Sequence, residues 1–431
     1  MARTVDLHVE HLTRVEGHGD IFFNAREGKV DNVQWHVTEA PRFFEAMVRG
    51  KSYVHLQPIT SRICGICSIG HSLASLKATE AALGVAVSDE TVLLRRLALH
   101  GENMQSHVLH IGYLVVPDLF GVGSVFPLVA TNRDAVVKIV GLHRLANYMS
   151  DLICGRTTHP ITLQPGGFRQ VPGARELADL KTRLQEVKPS ITEVAGLLAS
   201  VKGNLPDFRR ETEYVALVNE SVYALYDGDI GSTDTGVHAV DTYRSVANEY
   251  VVGQSTAKFT KHARDSYFVG ALARFNLNES KLTSFGHEVA GILGLKAPVH
   301  NPFMNTFAQM VEVADSVEDS IHIIDELLDR GVKGDMVEVR PKAGRGIGAV
   351  EVPRGILFHE YSIDSIGNCT KANCIIPTNQ NHANIQKDLE EFGPTLVDLP
   401  EKDIELALEM LVRAYDPCIS CSTHYARVHF V

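Results

Sequence analysis

Cysteine is scarce in this sequence, and seven is an odd number for 431 residues. A disulfide framework needs paired, densely placed cysteines in a short secreted chain, so none is expected here. No apolar run reaches the ~18 residues of a membrane span. The opening stretch, MARTVDLHVEHLTRVEGHGD, carries charges and no apolar core segment, which argues against a Sec-type signal. Positive charge is short as well: 41 Lys and Arg against 52 Asp and Glu leave −11. That balance argues against nonspecific nucleic-acid binding and against attraction to an anionic membrane. Internal repeats, low-complexity segments and linkers are missing. A cytoplasmic chain with no direct membrane span is the expectation, with the proviso that a tightly bound partner carrying an export signal would move both.

What is present is a globular composition, 45% hydrophobic and 22% charged. Residues 3 to 38 alternate as short strands, with a turn at REGK. Helical periodicity follows over 71–83 and 89–116, with Ser88 as N-cap and Asp89 and Glu90 in the first turn. It returns over 133–152, 174–203, 278–293, 307–330 and 401–415. Pro189 is expected to break or kink the 174–203 helix. Residues 344–361 are glycine-rich and read as a hairpin. The fold class is mainly α with small β elements (α+β), in one domain over 1–431. Its parts are a β-rich 1–60, a helical body 61–340 and a C-terminal part 341–431.

Four of the seven cysteines form two C-x-x-C pairs, Cys64 and Cys67 in RICGIC, and Cys418 and Cys421 in DPCISCSTH. A single such pair most often marks structural zinc or a thiol redox couple. Two pairs usually make a zinc ribbon, but ribbon pairs lie ~15–20 residues apart. Here about 350 residues intervene. An Fe–S cluster on four cysteines is an alternative, and soft thiolates also suit nickel and low-spin iron.

RICGICSIGH (Arg62, Cys64, Gly65, Cys67, His71) and DPCISCSTH (Asp416, Pro417, Cys418, Cys421, His424) resemble the paired signatures of the large, catalytic subunit of [NiFe] hydrogenases. The likeness has further stations: HLTRVEGHGD, PRFFEAMVRG, GRTTHPITLQPGG (155–167), EVPRGILFH (351–359) and IIPTNQNHANIQKD (375–388). It implies a fold with a central helix bundle, in which the metal site joins the two chain ends. The C-terminal segment would close over the finished cofactor, so folding and metal insertion would be linked.

The resemblance also implies roles. Cys64 and Cys418 would be terminal thiolates on nickel, and Cys67 and Cys421 would bridge nickel to an iron carrying CO and two cyanides. Cys418 would serve as the base in heterolytic cleavage of H2. Glu16, in RVEGH, would take its proton outward. Arg354, in VPRG, would hang over the metals and bond one cyanide, and Thr378 the other. Glu45, the backbone carbonyl of Cys374 and His424 would hold a Mg2+ (or Fe2+) ion. Cys154 and Cys369 are expected to be core thiols. Family members commonly carry Asp just before the first histidine of MQSHVLHIGY, His107, where this chain has Ser106. For His107 and His110 a core or supporting role is as well motivated as a catalytic one.

With its four motif cysteines engaged, the chain has none left for a relay of Fe–S clusters. An Fe–S small subunit is therefore implied, with further flavin/NAD(P), deazaflavin or heterodisulfide reductase subunits. The sequence looks most like the soluble cytoplasmic branch. A maturation endopeptidase acting on the tail YARVHFV (425–431) is a further implied partner. An H2-sensing regulatory subunit would carry the same residues, and turnover with a soluble acceptor separates the two. A quinone-site subunit of respiratory complex I would lack the four cysteines, and a structural zinc protein would show zinc in elemental analysis.

Overall fold

The two ends of the chain meet. The computed structural model describes residues 4–423, so the expectations for His424 and the 425–431 tail lie outside the described residues. Strands Val5–Val9, Gly19–Arg26 and Lys29–Val37 form an antiparallel sheet. Its tight turn sits on Glu27 and Gly28, both at positive φ, which matches the twist of a two-residue hairpin. Trp35, the one tryptophan, is fully buried beneath this sheet, with its indole N–H donated to His382 Nδ1 at 3.0 Å.

The helical body is built from Ser68–Leu83, Asp89–Leu109, Arg133–Cys154, Ala174–Val201, Ser284–Leu293 and Asn305–Arg330. Ser88 caps the second of these by accepting from the Thr91 amide. This helix stops being α-helical at Leu109 and widens into a π turn over His110–Val115. Pro117 follows, and a proline ring clashes with the carbonyl four residues back, which a wider turn relieves. The Ala174–Val201 helix runs through Pro189 without the break that was one of the two outcomes, break or kink, suggested by the sequence. Pro189 and Gln185, whose carbonyl loses its donor, both face solvent, where water is free to satisfy the orphaned acceptor. The expected 278–293 helix is two helices, Ala271–Asn278 and Ser284–Leu293, the second starting where Thr283 caps the Gly286 amide.

The glycine-rich hairpin is present as Gly344–Val352 and Gly355–Ile363, with a third strand, Cys369–Ile375, on its far edge. Gly344, Gly346 and Gly348 lie on the backbone of the Ser68–Leu83 helix. A Cβ at Gly346 would sit 2.1 Å from the Ala78 carbonyl oxygen, and one at Gly348 2.1 Å from that of Ala74. Alternate glycines thus let a strand lie flush on the helix that follows the first cysteine pair.

Pro377–Phe392 is a helix that the hydropathy pattern hides. Its inward face is polar: Asn379, Gln380, Asn381, His382 and Asn384 are all buried. Its amides are bonded rather than apolar, all but the Asn379 Oδ1, which has no partner among the described residues; Asn381, for example, exchanges two bonds with the Val269 backbone, both at 2.9 Å. Small strands within 213–268 were also invisible to the periodicity. One continuous core cluster runs from Val5 to Cys421.

Candidate metal centre

Cys64 and Cys67 stand at the N-terminal entry of the Ser68–Leu83 helix, and Cys418 and Cys421 on the last described turn of the chain. All four are buried, and their Sγ atoms lie within 4.8 Å of one another. Cys64 Sγ is 3.6 Å from Cys418 Sγ, across 354 residues of sequence. The structure pairs Cys418 with Cys421 as a disulfide, where the sequence reading expected separate thiolates; thiolate ligation of a metal uses the reduced form of this pair.

Burial works against ionising Cys64, but the hydrogen bond with Cys67 and the nearby Arg354 charge outweigh it and hold its pKa below the ordinary thiol value. Cys67 is pushed up by the hydrogen bond with Cys64 and by burial. Four soft sulfurs in a dry site, under a permanent cation, fit a soft metal pair better than a hard ion.

Arg42 holds the two cysteine segments together. Its Nη2 donates to the Ile63 carbonyl at 2.7 Å and to the Ser420 carbonyl at 2.5 Å. Glu16 also joins the second pair. Its carbonyl accepts from the Ile419 amide at 2.9 Å, and its carboxylate accepts from the Ser420 amide at 3.1 Å and from the Ser420 hydroxyl. Gly17 follows at φ +87°, and a Cβ there would lie 2.7 Å from the Ser420 nitrogen. The E-G step is thus what lets this loop lie on the second cysteine pair. Glu16 is half-buried.

Arg354 is buried, with Nε donating to the Asp416 carbonyl at 2.6 Å and Nη2 to Asp416 Oδ1 at 2.8 Å. Nη1 reaches Ser106 Oγ at 3.5 Å. Asp416 in turn accepts from Gln309 Nε2 at 3.0 Å, and Gln309 meets His110 Nδ1 at 2.6 Å. Thr378 Oγ1 accepts from the Cys418 amide at 3.1 Å. Glu45 Oε1 accepts from the Cys374 amide at 2.7 Å, which brings two of the expected second-ion groups together; His424 lies outside the described residues. Cys154 and Cys369 are buried away from the four-sulfur group.

Of the supporting residues the sequence singled out His107 but neither Arg274 nor Glu102. Arg274 donates to Glu312 twice, at 2.6 and 2.7 Å, to Glu351 at 2.8 Å, and to the carbonyls of Val352 and Pro353. It thereby fixes the turn that carries Arg354. His107 meets Glu312 at 2.7 Å, a supporting role rather than contact with the sulfurs. Glu102 accepts from the amides of Ile69 and Gly70, and burial raises its pKa to about 8. Arg274 and Glu102 are lone charged residues in otherwise unremarkable helices; only the fold gives them partners.

A family model described as nickel-dependent hydrogenase matches residues 42–139 and 257–424, and one described as HoxL-like matches 6–40. Sulfhydrogenase 2 subunit alpha of Pyrococcus furiosus is 31% identical over 429 residues, covering 98% of this chain and 100% of that protein. The NAD-reducing hydrogenase HoxS subunit beta of Cupriavidus necator is 28% identical, over 97% of this chain and 94% of that one. The crystal structure of an NAD+-reducing [NiFe]-hydrogenase in the H2-reduced state superposes with a TM-score of 0.87 at 25% identity, covering 97% of this chain and 99% of that one. With the buried four-sulfur site already in hand, the conclusion is direct: the chain belongs to the nickel-dependent hydrogenase family, as a [NiFe] hydrogenase large subunit. It is the catalytic subunit of an oxidoreductase whose reaction is the interconversion of H2 with protons and electrons.

Proposed function

We propose that Cys64, Cys67, Cys418 and Cys421, as thiolates, would hold a nickel–iron centre, with Cys64 and Cys418 serving nickel and Cys67 and Cys421 shared with iron. When bound, this centre supplies the electrophile on which H2 is polarised toward heterolysis. The chain's own residues do the rest. The Cys418 sulfur, in its reduced thiolate form, takes the proton. Glu16, tied to Ser420 two residues further on, receives that proton and passes it toward the surface. Arg354 stays charged throughout, because a guanidinium does not deprotonate in a protein. Its fork is oriented by Asp416, so it faces the sulfurs without rearranging. Arg354 and Thr378 orient the cyanides. Glu45, the Cys374 carbonyl and His424 hold a magnesium ion, an oxygen-rich set suited to a hard cation.

Electrons leave through a partner. Among the described residues no second group of three or more His, Cys, Asp or Glu converges as a metal site. The relay clusters therefore sit in an Fe–S small subunit across an interface of more than about 2,000 Å². NAD(P), through further flavin-bearing subunits, is our first choice of acceptor ahead of a deazaflavin or a heterodisulfide reductase, because one close structural relative is NAD+-reducing. A cytoplasmic complex fits such an acceptor, and no described helix is long and apolar enough to cross a membrane.

The observation that carries this reading is the convergence of the four sulfurs from opposite ends of the chain. The test is viologen-linked H2 oxidation by the purified complex, with Ni, Fe and Zn analysis and identification of co-purifying subunits. Activity with nickel and iron in the large subunit is expected. Zinc alone in competent material would overturn it.

A further inference from the structure

Asp118 lies on no motif and touches no cysteine, yet it is shared by two arginines from opposite ends of the chain. Arg14 Nη2 pairs with Asp118 Oδ1 and Arg413 Nη1 with Asp118 Oδ2, the second pair spanning 295 residues. The side chains are 15%, 1% and 3% exposed for Arg14, Arg413 and Asp118. Arg413 also donates to the Thr13 carbonyl at 3.3 and 3.1 Å and to Glu409 at 3.2 Å. Arg14 Nη1 donates to the Leu114 carbonyl at 2.7 Å, inside the π turn that precedes Asp118. Arg14 itself sits at φ +57°, a conformation a non-glycine residue adopts only where its surroundings hold it.

Arg14 is two residues before Glu16, and Arg413 is five before Cys418. Both anchor the strand pairing in which the Ile419 amide meets the Glu16 carbonyl. Without Asp118, the partly buried Arg14 would lose its carboxylate and the fully buried Arg413 would keep only Glu409, so the two segments would be driven apart. We propose that Asp118 is a positioning residue for Glu16: a clasp that locks the proton-relay loop onto the segment bearing Cys418. The inference rests on the assignment of Glu16 as that relay.

The test uses the purified complex. Asp118→Asn should lower H2 oxidation at least fivefold with nickel per chain unchanged. Amide hydrogen exchange in the peptide containing Ile419 should quicken at least tenfold. In a Glu16→Gln background the same substitution should bring no further loss of turnover. Arg14→Gln, which spares the more deeply buried Asp118–Arg413 pair, should behave likewise if Asp118→Asn does not accumulate. Equal losses in the parent and Glu16→Gln backgrounds, or unchanged exchange at Ile419, would overturn the clasp. Parent-like turnover of Glu16→Gln alone would instead overturn the relay assignment, and the exchange measurement would still decide whether the clasp exists.

Discussion

Glu312→Gln is the substitution that most directly weighs the buried scaffold behind Arg354. The carboxylate receives two bonds from Arg274, one from the Tyr223 hydroxyl at 2.7 Å, and meets His107 at 2.7 Å. Burial opposes its ionisation, but Arg274 and His107 prevail and hold its pKa at about 2 against an ordinary 4.5. The difference, 4.5 minus 2, is about 2.5 units, or about 3 kcal/mol at 1.36 kcal/mol per unit. A broken buried ion pair gives a similar figure, about 3–5 kcal/mol. Glutamine keeps the shape, removes the charge and points an N–H₂ at donors. For 431 residues the melting entropy is about 0.9 kcal/mol/K, from about 2.1 cal/mol/K per residue. The melting temperature should therefore fall about 3–5 °C at pH 7.

The sign with pH is fixed. A depressed carboxyl stabilises fully above its unfolded pKa and loses that contribution as pH falls toward the folded value. The gap between parent and variant should narrow once pH drops below 4.5. Differential scanning calorimetry of the complex between pH 7 and the lowest pH it tolerates measures both. Turnover should fall too, because Arg274 also clamps the Val352 and Pro353 carbonyls ahead of Arg354. A variant melting within one degree of the parent at pH 7, or a gap indifferent to pH, would refute the reasoning.

Cys418→Ser should abolish H2 oxidation with viologen and with the natural acceptor alike; surviving viologen reduction would contradict its role as base and ligand. Arg354→Lys keeps the charge but loses one of two bonds to Asp416, about 1.5–3 kcal/mol. Turnover should fall about 10- to 100-fold with nickel content unchanged, and a variant within twofold of the parent would show that the fork is not needed. Gly346→Ala places a methyl 2.1 Å from the Ala78 carbonyl oxygen and 2.3 Å from the Ala82 nitrogen. Neither backbone atom can yield, so the yield of folded, nickel-loaded chain should collapse; a parent-like melting temperature would count against the close strand–helix packing.

Legibility in the sequence varied by kind of residue. Ser88, the REGK turn and the 344–361 hairpin were readable because capping, tight turns and alternation are local. Pro189 left the choice between break and kink open because its effect depends on which side of the helix meets water. The Pro377–Phe392 helix was hidden because its buried face is amide-rich, and hydropathy cannot tell a satisfied buried asparagine from an exposed one. Ser106 illustrates a middle case: its correspondence to the family's Asp came from the motif, but its partner, Arg354, came from the fold.

What the sequence determined by itself was the donor set. Two C-x-x-C pairs, a glutamate before glycine and an arginine after proline are chemical identities, and identity survives without coordinates. What the tertiary structure decided was adjacency: that Cys64 lies 3.6 Å from Cys418, that Asp118 serves two arginines, that Arg274 braces the turn before Arg354. The reason is physical. Hydrogen bonds and metal–thiolate bonds act over a few ångströms, and only the folded chain sets which residues come within that distance.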